Sequence, residues 1–153
     1  MLIILNNYPP HQKAIEEHIP EFKKHLTCTF GPILYNPKKV DITPERMAHE
    51  MEHSKQQTTY GYGRFKLWKH SNLRVEEWWN RYLQDETFRF AMELPASQRE
   101  WWEFQKYETD RNKLAVKKEE IAHRLTNKLY GKKMKIGEAL KFLDRPRLIK
   151  LNV

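Results

Sequence analysis

The chain has 153 residues, a net charge of +8, and side chains that are 31% charged and 12% aromatic. The aromatics include five Trp, enough apolar area to exclude a globally disordered chain, while the length leaves little for two independent cores, so residues 1–153 are expected to form a single domain. Cys28 is the one cysteine, which excludes both an intramolecular disulfide and a Cys-rich zinc site. The basic excess suits a polyanionic partner or simply keeps the chain soluble. Its densest clusters are Lys117-Lys118, Lys128 to Lys135 and Arg145 to Lys150.

Leu2 to Leu5 is a short apolar run closed by Asn6-Asn7-Tyr8-Pro9-Pro10, which predicts a buried strand and a turn. The run is too short for a signal peptide or a membrane span, so the expected compartment is the cytoplasm. Residues 11 to 19 predict a short helix stopped by Pro20. Leu26 to Phe30 and Ile33 to Tyr35 read as strands broken by Gly31-Pro32, giving a small sheet of two or three strands. Thr43-Pro44 predicts a helix start, with Thr43 as N-cap and Pro44 at the first helical position. That helix should run to about Gln57, and Tyr60-Gly61-Tyr62-Gly63 to form a loop. Beyond Leu73 the chain reads as helical over roughly 74–84, 87–109, 110–129 and 136–143, with a start or kink at Pro95 and a C-cap at Gly131.

His49-Glu50-Met51-Glu52-His53 is a complete H-E-x-x-H motif on the first long helix. Residues four apart share a helix face, so both imidazoles can point at one cation roughly 2 Å from each ring nitrogen. Glu50 is rotated off that face and can reach a water on the metal. Zinc lowers the pKa of that water, and Glu50 takes its proton as general base. Met47 and Met51 fall opposite the two His, so one face is expected to enter the core while the other lines a cleft.

A hydrolytic zinc site needs a third protein ligand and an open fourth position. Gln56 and Thr59 stand where one subclass places a Gly and a third His, which excludes that subclass. The remaining candidates are Glu76, Glu77, Glu86, Glu93, Glu100, Glu103 and His70, and spacing does not choose between them.

The stretches Met47 to Gln57 and Phe88 to Gln98, with Trp78-Trp79-Asn80-Arg81-Tyr82-Leu83 before the second, resemble the small metallopeptidases often encoded by bacteriophages. These belong to the zincin group whose third ligand is a glutamate. Leu129-Tyr130-Gly131 and Glu138-Ala139-Leu140 are similar to the family's C-terminal end, so the resemblance covers about residues 40 to 143, with H-E-x-x-H its one specific motif. It implies an α+β, zincin-like fold: a small N-terminal sheet packed on the H-E-x-x-H helix, followed by a mostly helical C-terminal part. It also implies that Glu93 is the third ligand, completing a zinc site with His49 and His53. The sequence departs from the family at Ser97, where an aromatic or acidic residue is more usual; an acidic side chain one turn past the ligand would orient an imidazole, and Ser97 does so only weakly.

Tyr60, Tyr62, Tyr82 and His70 are candidates for contacts to an oxyanion or substrate, and nothing in the sequence selects one. Each of the pairs Trp78-Trp79 and Trp101-Trp102 should turn one member outward, and a strand at 26–30 or 33–35 could bind an extended peptide along its edge. The expected activity is zinc-dependent hydrolysis of peptide or amide bonds in a peptide or protein substrate. Two other readings compete: a nucleic-acid-binding protein using the basic C-terminal segment, its affinity steeply salt-dependent, and a catalytically inactive zincin-fold binding protein.

Overall fold

The computed structural model of the protein describes residues 2–20, 27–61 and 71–146. It is an α+β arrangement of three short strands and six helices. The expectations placed on Tyr62, Gly63, His70 and positions 147–150 lie outside the described residues.

The strands are β1 (Ile3–Leu5), β2 (Cys28–Phe30) and β3 (Ile33–Tyr35), in the order β1-β3-β2. β3 pairs parallel with β1 (Ile4 opposite Leu34) and antiparallel with β2 (Thr29 opposite Leu34). The β2–β3 turn is the two-residue Gly31-Pro32: Gly31 takes φ +59°, which a side chain disfavours, and Pro32 has its φ fixed by its ring. The first strand corrects its expectation of burial. β1 lies at the sheet edge, and Ile3 and Ile4 are exposed, while Leu34 on the central strand is fully buried.

Helix α1 (Gln12–His18) stops before Pro20, as its sequence predicts. Helix α2 (Pro44–Thr59) begins with Pro44 at its first position, and the Thr43 hydroxyl accepts the Arg46 N–H at 3.4 Å. The face with the two His lines a cavity, as expected, but the Met face does not enter the core. The buried side is the polar one, with Ala48, His49, Glu50, His53 and Gln57, and Met51 points outward. Helix α3 (Ser71–Gln84) and helix α4 (Glu86–Phe104) are separated by Asp85, whose carboxylate accepts the Thr87 and Phe88 N–H groups. α4 runs through Pro95, although a proline there removes one helical donor.

Helix α5 (Arg111–Leu125) is shorter than the predicted 110–129. The Thr126 hydroxyl donates back to the His123 carbonyl, and the Asn127 side chain accepts the Leu129 N–H, so local side-chain bonds replace the helical ladder. A 3-10 turn (Lys128–Tyr130) follows, closed by Gly131 at φ +66°. Helix α6 (Ile136–Leu143) matches its predicted span.

Two apolar clusters form among these elements. One gathers Ile15, Tyr35, Val75, Trp78, Trp79 and Phe88 between sheet, α1, α3 and the start of α4. The other joins Trp101, Ile121, Leu125, Ala139 and Leu143 from the end of α4, α5 and α6. Trp78 and Trp79 are both buried, contrary to the expected outward member, because α3 packs against α1, α2 and α4. α2 lies along α4, which spans both clusters. Arg89 on α4 donates from Nε to the Tyr82 carbonyl, from Nη2 to Leu83 and from Nη1 to Leu129. It thereby satisfies carbonyls at the end of α3 and ties the 3-10 turn to α4.

Candidate metal centre

The i, i+4 spacing on α2 brings His49 Nε2 and His53 Nε2 to 3.0 Å. Glu93, on the facing surface of α4, puts Oε1 3.1 Å from His53 Nε2 and Oε2 3.6 Å from His49 Nε2. All three side chains are buried, and their ligand atoms are close enough together to hold one metal ion. A tetrahedral ion with bonds of about 2.0–2.1 Å keeps its ligand atoms about 3.3 Å apart, a value these three spacings bracket. Of the acidic candidates for a third ligand, Glu93 is the one in this cluster. Glu76 pairs with His11, Glu86 with Lys133 and Glu103 with Lys106, while Glu77 is exposed.

The opposite edge of each ring is also occupied. Gln56 Oε1 lies 2.9 Å from His53 Nδ1, and Gln56 Nε2 donates to the Met92 carbonyl at 2.9 Å, next to Glu93 in the chain. His49 Nδ1 lies 3.1 Å from Glu100 Oε2, at ion-pair distance, and makes no hydrogen bond among the described residues. With a proton on Nδ1 of each ring, bonded to Gln56 Oε1 in one and turned toward the Glu100 carboxylate in the other, two Nε2 lone pairs face each other and a carboxylate. That arrangement repels itself unless a cation or a proton sits in the middle, and the donor set suits a divalent ion.

The electrostatics agree. Burial is the largest influence on His49 and pushes its pKa down. Burial acts the same way on His53, but the Glu93 carboxylate and its hydrogen bond outweigh it and raise the His53 pKa. Burial alone would raise the pKa of Glu93; His53, then His49 and the Tyr82 hydroxyl, hold it well below the usual carboxylate range. Glu100 is likewise held low against its burial by the His49 contact and by Arg124.

Glu50 stands outside the ligand cluster, as the motif predicts. Its Oε2 accepts from Thr29 Oγ1 at 3.0 Å, and its Oε1 pairs with Arg46 Nη2 at 2.6 Å. A cavity of about 350 Å³ opens beside it, lined among others by His49, Glu50, His53, Glu93, Trp78 and Trp79. Cys28 on β2 also faces this cavity; burial, then the Glu50 charge, raises the pKa of its thiol.

The tyrosine candidates separate. The Tyr82 hydroxyl donates to Glu93 Oε1 at 2.5 Å, and its ring stacks on Trp78 and meets the His53 ring edge-on. It therefore holds the carboxylate, with its side chain also part of the cavity lining. Tyr60 accepts from Arg81 and packs on Phe88, away from the cavity lining. Two roles were not foreseen from sequence, where Glu100 stood only as a candidate third ligand. Glu100, one turn beyond Ser97, supplies the acidic contact that Ser97 cannot. Tyr130 on the 3-10 turn lines the cavity, and its pKa is raised by burial and by the nearby Glu93 carboxylate.

Among the described residues, the backbone carbonyls of Thr27 and Thr29 beside the cavity are already engaged. β3 is the central strand. The Thr29 carbonyl on β2 accepts from Gln57 Nε2 at 2.9 Å and Trp79 Nε1 at 3.2 Å, and the adjoining Thr27 carbonyl from Arg46 at 3.4 Å. The basic clusters are partly neutralised: Lys117 contacts Glu45, Glu100 and Glu120, Lys118 contacts Asp144, and Lys133 contacts Glu86. No helix among the described residues is long and apolar enough to cross a membrane. Comparisons of the chain with protein-family models, with curated proteins and with solved structures find no match.

Proposed function

We propose that the protein is a zinc-dependent hydrolase of peptide or amide bonds with a zincin-like architecture. The observation that carries this reading is the convergence of His49, His53 and Glu93 on one point, with Glu50 left free of that cluster at the wall of a cavity. Two imidazoles and one carboxylate are the ligand set of hydrolytic zinc sites that keep a fourth position open. The phage-type glutamate zincins share this pattern of residues, a likeness that rests on the sequence motifs.

His49, His53 and Glu93 would hold the ion, which when bound supplies Lewis acidity to the scissile carbonyl and lowers the pKa of coordinated water. The chain's own groups do the rest. Thr29 and Arg46 fix the Glu50 carboxylate in one orientation. Glu50 accepts the proton of the attacking water on a carboxylate oxygen and passes it to the leaving amine. Tyr130 lines the cavity, and its raised pKa favours the protonated form, so in this reading its hydroxyl donates to the developing oxyanion. Trp78 and Trp79 give the cavity an apolar wall that excludes water.

The test is metal analysis of the purified chain with assays on a panel of short peptides. One zinc per chain is expected, with Glu50→Gln keeping the zinc and losing turnover. A chain that takes up no metal, or a Glu50→Gln variant that turns over at the full rate, overturns the proposal.

A further inference from the structure

We infer that Arg46 and Arg124 form an anion seat in the cavity wall, so that the substrate presents a carboxylate beside the scissile bond. This names the substrate class for the site above and rests on that reading.

The two guanidinium groups come from different helices, α2 and α5, and line the same cavity as His49, His53 and Glu93. Their bonding leaves donors over. Arg46 uses Nη2 alone, toward Glu50 Oε1 and the Thr27 carbonyl. Arg124 uses Nη2 alone, toward Glu100. A guanidinium carries five N–H donors, so among the described residues Nε and Nη1 of both side chains have no protein acceptor. Arg89 shows what a purely structural arginine looks like in this chain, since all three of its nitrogens end on backbone carbonyls. Asn127, also in the lining, spends its Oδ1 on the Leu129 N–H, and among the described residues its amide nitrogen has no acceptor.

Charge points the same way. Arg46 and Arg124 offset Glu50 and Glu93 in the lining, and Glu100 behind Arg124 and His49 adds one more carboxylate, so a bound divalent ion would still leave the site with an excess of positive charge. An anion entering the cavity supplies the match, in surroundings where charge interactions are stronger than in water. A planar carboxylate fits the fork of a guanidinium. The substrate also needs a side-chain grip, because the Thr29 carbonyl on the neighbouring edge strand is already occupied. At about 350 Å³ the cavity sits at the small end of the ligand-pocket range of roughly 300–1,000 Å³, which keeps the carboxylate near the reacting bond. The carboxylate is either a C-terminal α-carboxylate or the side chain of an adjacent Asp or Glu.

The experiment measures equilibrium binding to the zinc-loaded full chain with two pairs of short N-acetylated peptides. One pair differs as free C-terminus against C-terminal amide. The other differs as Glu against Gln beside an amidated end. In at least one pair the carboxylate member should bind about tenfold or more tightly, the scale of one charge-assisted hydrogen bond. The pair that shows the preference identifies the source of the carboxylate. Arg124→Gln should bring that ratio close to one with zinc content unchanged, and Arg124→Lys should recover part of it. Equal binding within both pairs, or a preference that survives Arg124→Gln in a folded, zinc-loaded variant, overturns the seat. Turnover is read separately. Carboxylate preference without hydrolysis keeps the seat and removes the hydrolase, and hydrolysis without preference does the reverse.

Discussion

His49 Nδ1 and Glu100 Oε2 face each other at 3.1 Å in the buried interior, two helical turns beyond Glu93 on the same helix. Glu100 also receives Arg124 and lies 3.3 Å from Lys117, so one carboxylate joins the ring of a metal ligand to the cations of α5. A carboxylate behind a ligating imidazole fixes its orientation and raises its basicity, and losing it costs about 10–100-fold in metal affinity. Glu100→Gln is therefore expected to weaken zinc binding by that factor while His49, His53 and Glu93 are all retained. Competition against a chelator of known affinity measures it, and an unchanged affinity rejects the role.

Gln57 is fully buried and works at both ends of its amide. Its Oε1 accepts the Gly31 N–H at 2.6 Å, and its Nε2 donates to the Thr29 carbonyl. This pins α2 to the β2–β3 turn and so sets the distance between Thr29 and Glu50. Gln57→Ala leaves the buried Gly31 N–H unpaired, at about 1–3 kcal/mol, removes one of the two donors to the Thr29 carbonyl, which keeps Trp79, and opens a void in the core. The expected loss of stability is roughly 2–5 kcal/mol, read by denaturant unfolding; a loss under about 0.5 kcal/mol would show that water takes over both bonds.

Metal removal should destabilise the chain by mass action. With free zinc at about a hundred times the dissociation constant, the folded state gains about 2.7 kcal/mol. For a chain of this size that corresponds to a rise in Tm of roughly 5–11 °C over the chelated protein. Binding should also release protons, because zinc displaces the one that the raised His53 pKa favours. A Tm indifferent to chelator and to added zinc contradicts the site.

The metal-free chain should lose stability as the pH falls. Glu93 and Glu100 are held below the ordinary carboxylate range, and Glu45 is lowered against its own burial by Tyr107 and Lys117. A carboxylate with a depressed folded pKa contributes fully above its unfolded value of about 4.3, and the contribution is lost as the pH falls through the folded value. His49, also lowered, adds to the loss below its unfolded value of about 6.5. His53, which is raised, opposes this: its contribution is full below about 6.5 and fades as the pH rises through its folded value. Three carboxylates outweigh one ring at the acid end, so Tm should fall between about pH 6 and about pH 3. Glu100→Gln should flatten that fall, and a slope equal to that of the unsubstituted chain would exclude Glu100 as a contributor.

Local chemistry made much of the chain legible. Thr43-Pro44, Gly31-Pro32, Pro20 and the apolar spacing of 136–143 each act within a few residues, and each element they announce is present. The motif did the same for His49, Glu50 and His53, because one helical turn sets both the proximity of the imidazoles and the offset of the carboxylate. The faces of α2 were legible only in part. Its two Met on one side and its His on the other suggested the usual apolar-inward packing, and the structure buries the polar side. That burial is sustained only by partners from other elements: Glu93 and Glu100 on α4 and Thr29 on β2.

By itself, then, the sequence determined the helix that bears the motif, the small sheet before it and two of the three side chains in the cluster. Spacing left the third ligand open among many candidates, and only the resemblance pointed to Glu93; the tertiary structure decided that Glu93 meets the two imidazoles, that Glu100 takes the place foreseen for Ser97, that Tyr82 holds the Glu93 carboxylate, and that Tyr130 and two arginines line the same cavity. The reason is range. Capping, turn formation and i, i+4 contacts are fixed by near neighbours, whereas a buried charge is tolerated only where the fold delivers its counter-charge from far along the chain.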